Sequence, residues 1–233
     1  MSLRNYKEIF KKNFLTSVAC EIRFTSLLII KDRIGQFQKQ IRNDFPKIAR
    51  GFTFPKEFEF DEWVFISDDD KNKLKIFTDR LSVITTLYND FDPFYKMVCD
   101  VIKKFFESFK DIDTLKRIGL RYTNAIPLDP EKPLVDILKW FNPLIYENKI
   151  EDLTPIGFSV EFRMPKGDNI ITCRNRIPIG ESPHYFIDID TYTERNIKKE
   201  EFDTIFNELH DLAIEEFYKN IKDEFLNVLR GVE

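Results

Sequence analysis

The chain has 233 residues with 36 Lys and Arg against 40 Asp and Glu, a formal charge of −4, and a lopsided composition of 24 Phe but only 7 Gly, 3 Met and 2 His. That length buries a substantial core as one large domain or two small ones, while the acidic balance argues against a protein that grips nucleic-acid backbones through a basic face. Neither Gly-x-Gly-x-x-Gly nor Gly-x-x-x-x-Gly-Lys-Ser/Thr occurs, which excludes the usual phosphate-cradling loops, and the longest nearly uncharged apolar stretch, Phe24 to Ile30, is far short of the roughly 20 residues of a membrane span.

Val18, Cys20, Ile22 and Phe24 alternate with Ala19, Glu21, Arg23 and Thr25, which predicts a half-buried strand over 17–25. A helix follows, capped by Thr25 or Ser26, with Leu27, Ile30, Ile34, Phe37 and Ile41 at helical spacing until Asn43-Asp44-Phe45-Pro46 stops it. Three short strands fit 59–66, 73–79 and 81–87, separated by the polar run from Asp68 to Lys73 and by Asp79-Arg80. A long helix from Asp92 to Phe109 carries Phe94, Tyr95, Val98, Val101, Ile102, Phe105, Phe106 and Phe109 on one stripe. The order then recurs: a strand at 116–124, a short helix at 133–141 opened by Pro133, and strands near 156–164, 169–176 and 184–191. Helical spacing from Phe202 to Phe225 predicts one last helix over Lys199 to Leu229.

Each half reads strand, helix, three strands, helix. Ile22-Arg23-Phe24-Thr25 matches Leu120-Arg121-Tyr122-Thr123 at an offset of 98, and Phe91-Asp92, Tyr95, Val98, Asp100 and Phe106 match Phe202-Asp203, Phe206, Leu209, Asp211 and Phe217 at 111. The expected fold is therefore α+β: one domain of two βαβββα pseudo-repeats, 15–110 and 114–230, joined in a curved, mainly antiparallel sheet with helices chiefly on one face. In topology this resembles the duplicated strand-helix-strand-strand folds of GyrI-like ligand-binding proteins and of the TATA-binding protein saddle. The chain is also similar to a sporadically distributed family of bacterial and archaeal proteins, in Cys20-Glu21-Ile22-Arg23-Phe24, in Ile34-Gly35-Gln36-Phe37 with Phe45-Pro46, and in Gly119-Leu120-Arg121-Tyr122-Thr123-Asn124. That resemblance implies a prokaryotic source and supplies no activity.

Turning Ile22, Phe24, Leu120, Tyr122, Val160, Phe162, Ile171, Cys173, Ile187 and Ile189 toward the helices sets a different group on the far face. It comprises Glu21, Arg23, Arg117, Arg121, Glu161, Arg163, Thr172, Arg174, His184, Asp188 and Asp190, with Phe186 as a stacking surface. Such a face is either a solvated surface of cross-strand ion pairs or a polar floor whose guanidinium forks hold an anionic or carbonyl-rich ligand. Arg23 and Arg121 occupy equivalent positions in the halves, so a pseudo-twofold axis would bring both to one ligand. Arg23, Arg121 and Glu161, with Arg163 and Arg174 beside them, are the expected ligand-binding residues.

Asp188-x-Asp190, with Glu161, is an alternative metal set of unspecific spacing. Cys20 and Cys173 fall on apolar faces and Cys99 in a helix, His210 is expected at a helix flank, and no hydrolase, zinc-protease or kinase motif occurs, so no catalytic residue is assigned. Asp68-Asp69-Asp70 reads as a solvated hairpin tip, and the aromatics Phe52, Phe54, Phe58, Phe60 and Trp63 as core packing or a strand for a partner. Three scattered cysteines suit a reducing compartment, and the N-terminus lacks a signal-peptide h-region, so the expectation is cytoplasmic. The favoured role is non-catalytic binding, without cofactor, of a small anionic or polar ligand or of a protein on the polar face. A homodimer is compatible with it. The alternative is a metal-dependent enzyme acting on a phosphate ester or nucleotide, and a third reading is a partner protein that works only through association.

Overall fold

Alternation governs the central strands. Val18, Cys20, Ile22 and Phe24 are buried and the residues between them half-buried along β1 (Leu15–Phe24), the pattern of a strand with one face on a core. The computed structural model, which describes residues 10–51, 62–142, 158–177 and 183–232, builds on this strand an α+β fold: a nine-stranded antiparallel sheet, not closed into a barrel, and five helices. After β1 come α1 (Ile29–Ile41), β2 (Lys47–Gly51), β3 (Glu62–Ile66), β4 (Asn72–Ile76), β5 (Arg80–Thr85) and α2 (Phe91–Ser108). The remainder is β6 (Thr114–Pro127), α3 (Pro133–Trp140), β7 (Phe158–Lys166), β8 (Asn169–Ile177), β9 (His184–Lys198), α4 (Phe202–Asn220) and α5 (Asp223–Arg230). Across the sheet the order is β2-β3-β4-β5-β1-β6-β9-β8-β7, so β1 and β6 pair at the centre and β5 and β9 flank them.

The helices share one face of this sheet. Phe105 of α2 reaches Phe24 of β1 at 5.5 Å and takes Phe37 of α1 edge-on at 5.6 Å. Thr191 Oγ1 of β9 donates to the Leu209 carbonyl of α4 at 2.9 Å. Phe141, at the end of α3, stacks on Tyr185 of β9 at 4.3 Å and meets Phe225 of α5 at 4.9 Å. Phe24, Tyr185 and Thr191 all lie on the inward phase of their strands, so a single apolar core separates sheet from helices. Burying a Phe side chain fully contributes about 1.5–3 kcal/mol of transfer free energy, which gives the phenylalanine excess a packing role.

Several sequence expectations are corrected. β2 was not anticipated: a five-residue segment just after Pro46 carries too few alternations to register as a strand, and it forms by pairing with β3. Neither Thr25 nor Ser26 caps α1, which starts at Ile29 with no side-chain cap, while Ser26 Oγ instead bonds Thr78 Oγ1 at 3.2 Å. The last helix is broken: Ile221 is extended (φ −116°, ψ 153°) and bridges to Phe141, and α5 then carries Phe225 back toward Phe14, Trp140 and Phe141. Phe217, Ile221 and Phe225 recur every four residues, so periodicity alone reads straight through the break. Phe52, Phe54, Phe58 and Phe60 lie outside the described residues. Trp63 packs partly buried against the core.

Candidate functional site

Strand register assembles the polar face row by row. Across β6 and β9, Arg117 lies opposite Glu194, Gly119 opposite Tyr192, Arg121 opposite Asp190 and Thr123 opposite Asp188. β8 and β7 extend the rows, with Thr172 and Arg163 beyond Asp190, and Arg174 and Glu161 beyond Asp188. On the other flank of β6, Arg117 faces Arg23 and Gly119 faces Glu21 of β1.

Arg117 is the centre of this arrangement. Its side chain is only 11% exposed: one guanidinium nitrogen donates to Glu21 Oε1 at 3.1 Å, the other to both oxygens of Asp190 at 3.3 and 3.1 Å, and Cζ lies 4.4 Å from the centre of the Tyr192 ring. The posture requires a glycine beneath it. A Cβ at 119 would lie 2.5 Å from Arg117 Nη1 and 2.8 Å from Cζ, so Gly119 gives up strand propensity for a close approach. Burial pushes the Asp190 carboxyl above the usual carboxylate range, while Arg117, Arg121 and Arg174 pull it back.

Arg163 approaches the same Tyr192 ring, 5.6 Å from its centre, and makes no ion pair among the described residues. Next to it opens a cleft of about 230 Å³ lined by Arg23, Arg117, Glu161, Arg163, Thr172, Arg174, Asp190, Tyr192 and Glu194. Arg174 Nε donates to Glu161 Oε2 at 2.5 Å, and Arg23 Nε to Glu21 Oε1 at 2.7 Å. Four arginines thus border one cleft, three of them held in place by carboxylates and one facing it without such a partner. Neither a family model nor a curated protein matches the chain.

Of the residues expected from sequence, Arg23, Glu161, Arg163 and Arg174 are gathered in this cleft and Arg121 is not. Arg121 lies flat against Asp188, donating through Nε at 2.7 Å and Nη2 at 2.5 Å, a fork that raises its own pKa. Convergence of Arg23 and Arg121 is overturned by the register: Arg23 pairs with Arg117, four residues along β6 from Arg121, or about 14 Å at a strand rise near 3.4 Å. Phase alone puts Arg117, Thr172 and Asp190 on this face without singling them out as ligand residues, and Tyr192 and Glu194 lie beyond the strand that the sequence predicts near 184–191, because β9 runs on to Lys198. The legible signal was Gly119, a glycine inside a strand pattern, which marks a close approach.

The three carboxylates of the metal alternative each answer a guanidinium: Asp188 that of Arg121, Asp190 that of Arg117 and Glu161 that of Arg174. Among the described residues no group of three His, Cys, Asp or Glu side chains is placed to hold a metal ion. Burial drives the thiols away from reactivity, Cys99 up to about 11, Cys173 up to about 12 and Cys20 higher still. His210 sits half-buried on the flank of α4: it stacks on Phe91 at 3.7 Å, its Nδ1 is 2.8 Å from the Tyr122 hydroxyl, and burial lowers it to about 4. Phe186 faces outward with the Arg176 guanidinium 4.9 Å from its ring centre. At the 68–70 run, Asp69 accepts from Ser67 Oγ and the Lys71 amide, the bonding of a turn.

Proposed function

We propose that the protein binds a small anionic or polar ligand, non-catalytically, in the cleft between β1, β6, β9, β8 and β7. One observation carries this reading: Arg163 borders the cleft over the Tyr192 ring and makes no ion pair among the described residues, while Arg23, Arg117 and Arg174 are fixed by carboxylates into a preorganised wall. Guanidinium forks of this kind read carboxylate and oxoanion geometry, and holding them in place beforehand lowers the ordering cost of binding. A cavity of about 230 Å³ is below the roughly 300–1,000 Å³ of ordinary ligand pockets, so the ligand is small: an inorganic oxoanion or a short carboxylic acid.

The two halves of the chain are, in this account, a duplication whose pseudo-twofold axis runs through the centre of the sheet. An offset of 98 makes Gly119 the equivalent of Glu21, and these two residues pair directly across β1 and β6. Equivalent arginines then sit two residues to either side of the axis and point to different places. Duplication explains why Arg23 and Arg121 correspond in sequence, and antiparallel pairing about Glu21 and Gly119 explains why they part. The cleft lies off the axis, toward the second half.

The reading is tested by thermal-shift measurements with phosphate, sulfate and short mono- and dicarboxylic acids, each with and without divalent cations. A ligand at about 100 times its Kd stabilises the folded state by about 2.7 kcal/mol, a shift of a few degrees for a chain of this size. Stabilisation by at least one of these, independent of metal and lost in Arg163→Gln, is the expected result. Uniformly flat responses, or a response that Arg163→Gln leaves unchanged, refute it.

A further inference from the structure

The edge strand β7 offers a backbone ladder to a partner, and its sequence specifies which partner. Among the described residues β7 ends the sheet, pairing with β8 on one side. The two are joined by the two-residue turn Gly167-Asp168, with Gly167 at φ +62°, the first central position of a type II′ hairpin. In such a hairpin the flanking pair, here Lys166 and Asn169, exchanges hydrogen bonds. Alternation then turns the backbone groups of Val160, Phe162 and Met164 toward β8 and those of Ser159, Glu161 and Arg163 outward. Pro165 falls on the outward phase, where a missing N–H leaves β8 undisturbed.

We infer that β7 pairs antiparallel with β7 of a second copy about a twofold axis at Phe162, joining two nine-stranded sheets. Only pairings that place outward residue against outward residue make hydrogen bonds, which leaves three central registers. A twofold at Glu161 sets the two Glu161 side chains against each other, and one at Arg163 does the same with arginine. Like charges directly opposite are destabilising. The register at Phe162 instead sets Glu161 opposite the partner's Arg163 on both sides of the axis, so that Glu161, whose Oε2 stays with Arg174, also meets the guanidinium that makes no ion pair among the described residues. On the helix-side face it brings Phe162 against the partner's Phe162 and Val160 against the partner's Met164. Met164 is 36% exposed in the single chain and Phe162 is half-buried, so both gain cover. Charged side chains guard an edge when the approaching strand sets like charges against them. This one alternates glutamate with arginine, which is complementary to itself when reversed.

The pairing also completes the cleft. Glu161 and Arg163 form its β7 wall, so the partner's Glu161 closes that wall from outside. A guanidinium has five donors, and an edge given to the partner's carboxylate leaves others for a ligand. The inference stands on the edge itself and not on the ligand reading, because it is measured with no ligand present.

The experiment is light scattering coupled to size exclusion, with sedimentation velocity, on the full chain at concentrations up to about 0.5 mM, a range suited to a small interface. Glu161→Arg and Arg163→Glu each set like charges across the axis and are expected to weaken dimerisation at least about tenfold. Circular dichroism and melting check that each variant folds. Mixed in equal amounts, the two variants restore opposite charges at both positions, and a heterodimer is expected. A wild-type chain that stays monomeric throughout overturns the inference. So does a dimer indifferent to both substitutions, or a mixture that does not associate.

Discussion

Gly119→Ala tests the centre of the polar face. The added Cβ, 2.5 Å from Arg117 Nη1, cannot be accommodated without moving the guanidinium, because the position lies mid-strand at the sheet centre while Arg117 is the flexible partner. Displacement breaks the bonds to Glu21 and Asp190 and lifts the cation off Tyr192. Charge-assisted hydrogen bonds are worth about 1.5–3 kcal/mol and a partly exposed cation–π contact about 0.5–1, while replacing a strand glycine by alanine returns about 0.5–1. The net expectation is about 2 kcal/mol of destabilisation, read as a lower urea midpoint at unchanged slope. The sign should reverse once Arg117 is gone: in an Arg117→Ala background, Gly119→Ala is expected to stabilise by about 0.5 kcal/mol. A neutral or stabilising Gly119→Ala in the wild-type chain, or equal effects in both backgrounds, refutes the reasoning.

Removing Arg121 leaves Asp188, 3% exposed, with Arg174 at 3.7 Å as its one ion-pair partner among the described residues, so Arg121→Ala should cost about 2–3 kcal/mol in urea unfolding and Asp188→Asn on top of it should recover most of that. Burial holds His210 near 4, below its ordinary 6.5, so the unfolded chain takes up a proton that the folded chain refuses, and stability falls as pH drops from about 6.5 toward 4 by up to about 1.4 kcal/mol per unit. His210→Gln should remove that share of the slope, and matching pH profiles for the two proteins would contradict it. Phe141→Ala empties the contact among Tyr185, Phe225 and Trp140 and is expected to cost about 3–5 kcal/mol by chemical denaturation.

The fold was legible wherever one rule acted alone. Strict alternation around Ile22 and Leu120 fixed the face of each central strand, and the stripe from Phe94 to Phe109 placed α2 to within a residue. It was illegible where tertiary contacts override local pattern: Ile221 leaves the helical phase to bridge Phe141, and β2 exists only because β3 pairs with it. The polar face could be read as a set but not as an arrangement. Phase assigns Arg23, Arg121, Glu161 and Asp188 to one side, whereas their partners depend on a register that no single strand encodes. That register sends Arg121 to Asp188 and brings Arg117, over Gly119, to the centre.

The central claim is that the arginine-bordered cleft is the binding site, and the guanidinium groups can report on it directly. Side-chain Nε–Hε resonances of arginine, followed by NMR during titration with phosphate, sulfate and short carboxylic acids, should show saturable shifts at Arg163, Arg174 and Arg117 for the ligand class that binds. Arg33 and Arg195, at exposed ion pairs and outside the cleft's lining, should stay unmoved. Shifts spread evenly over all arginines, or no saturable shift at Arg163 with any of these anions, would contradict the account.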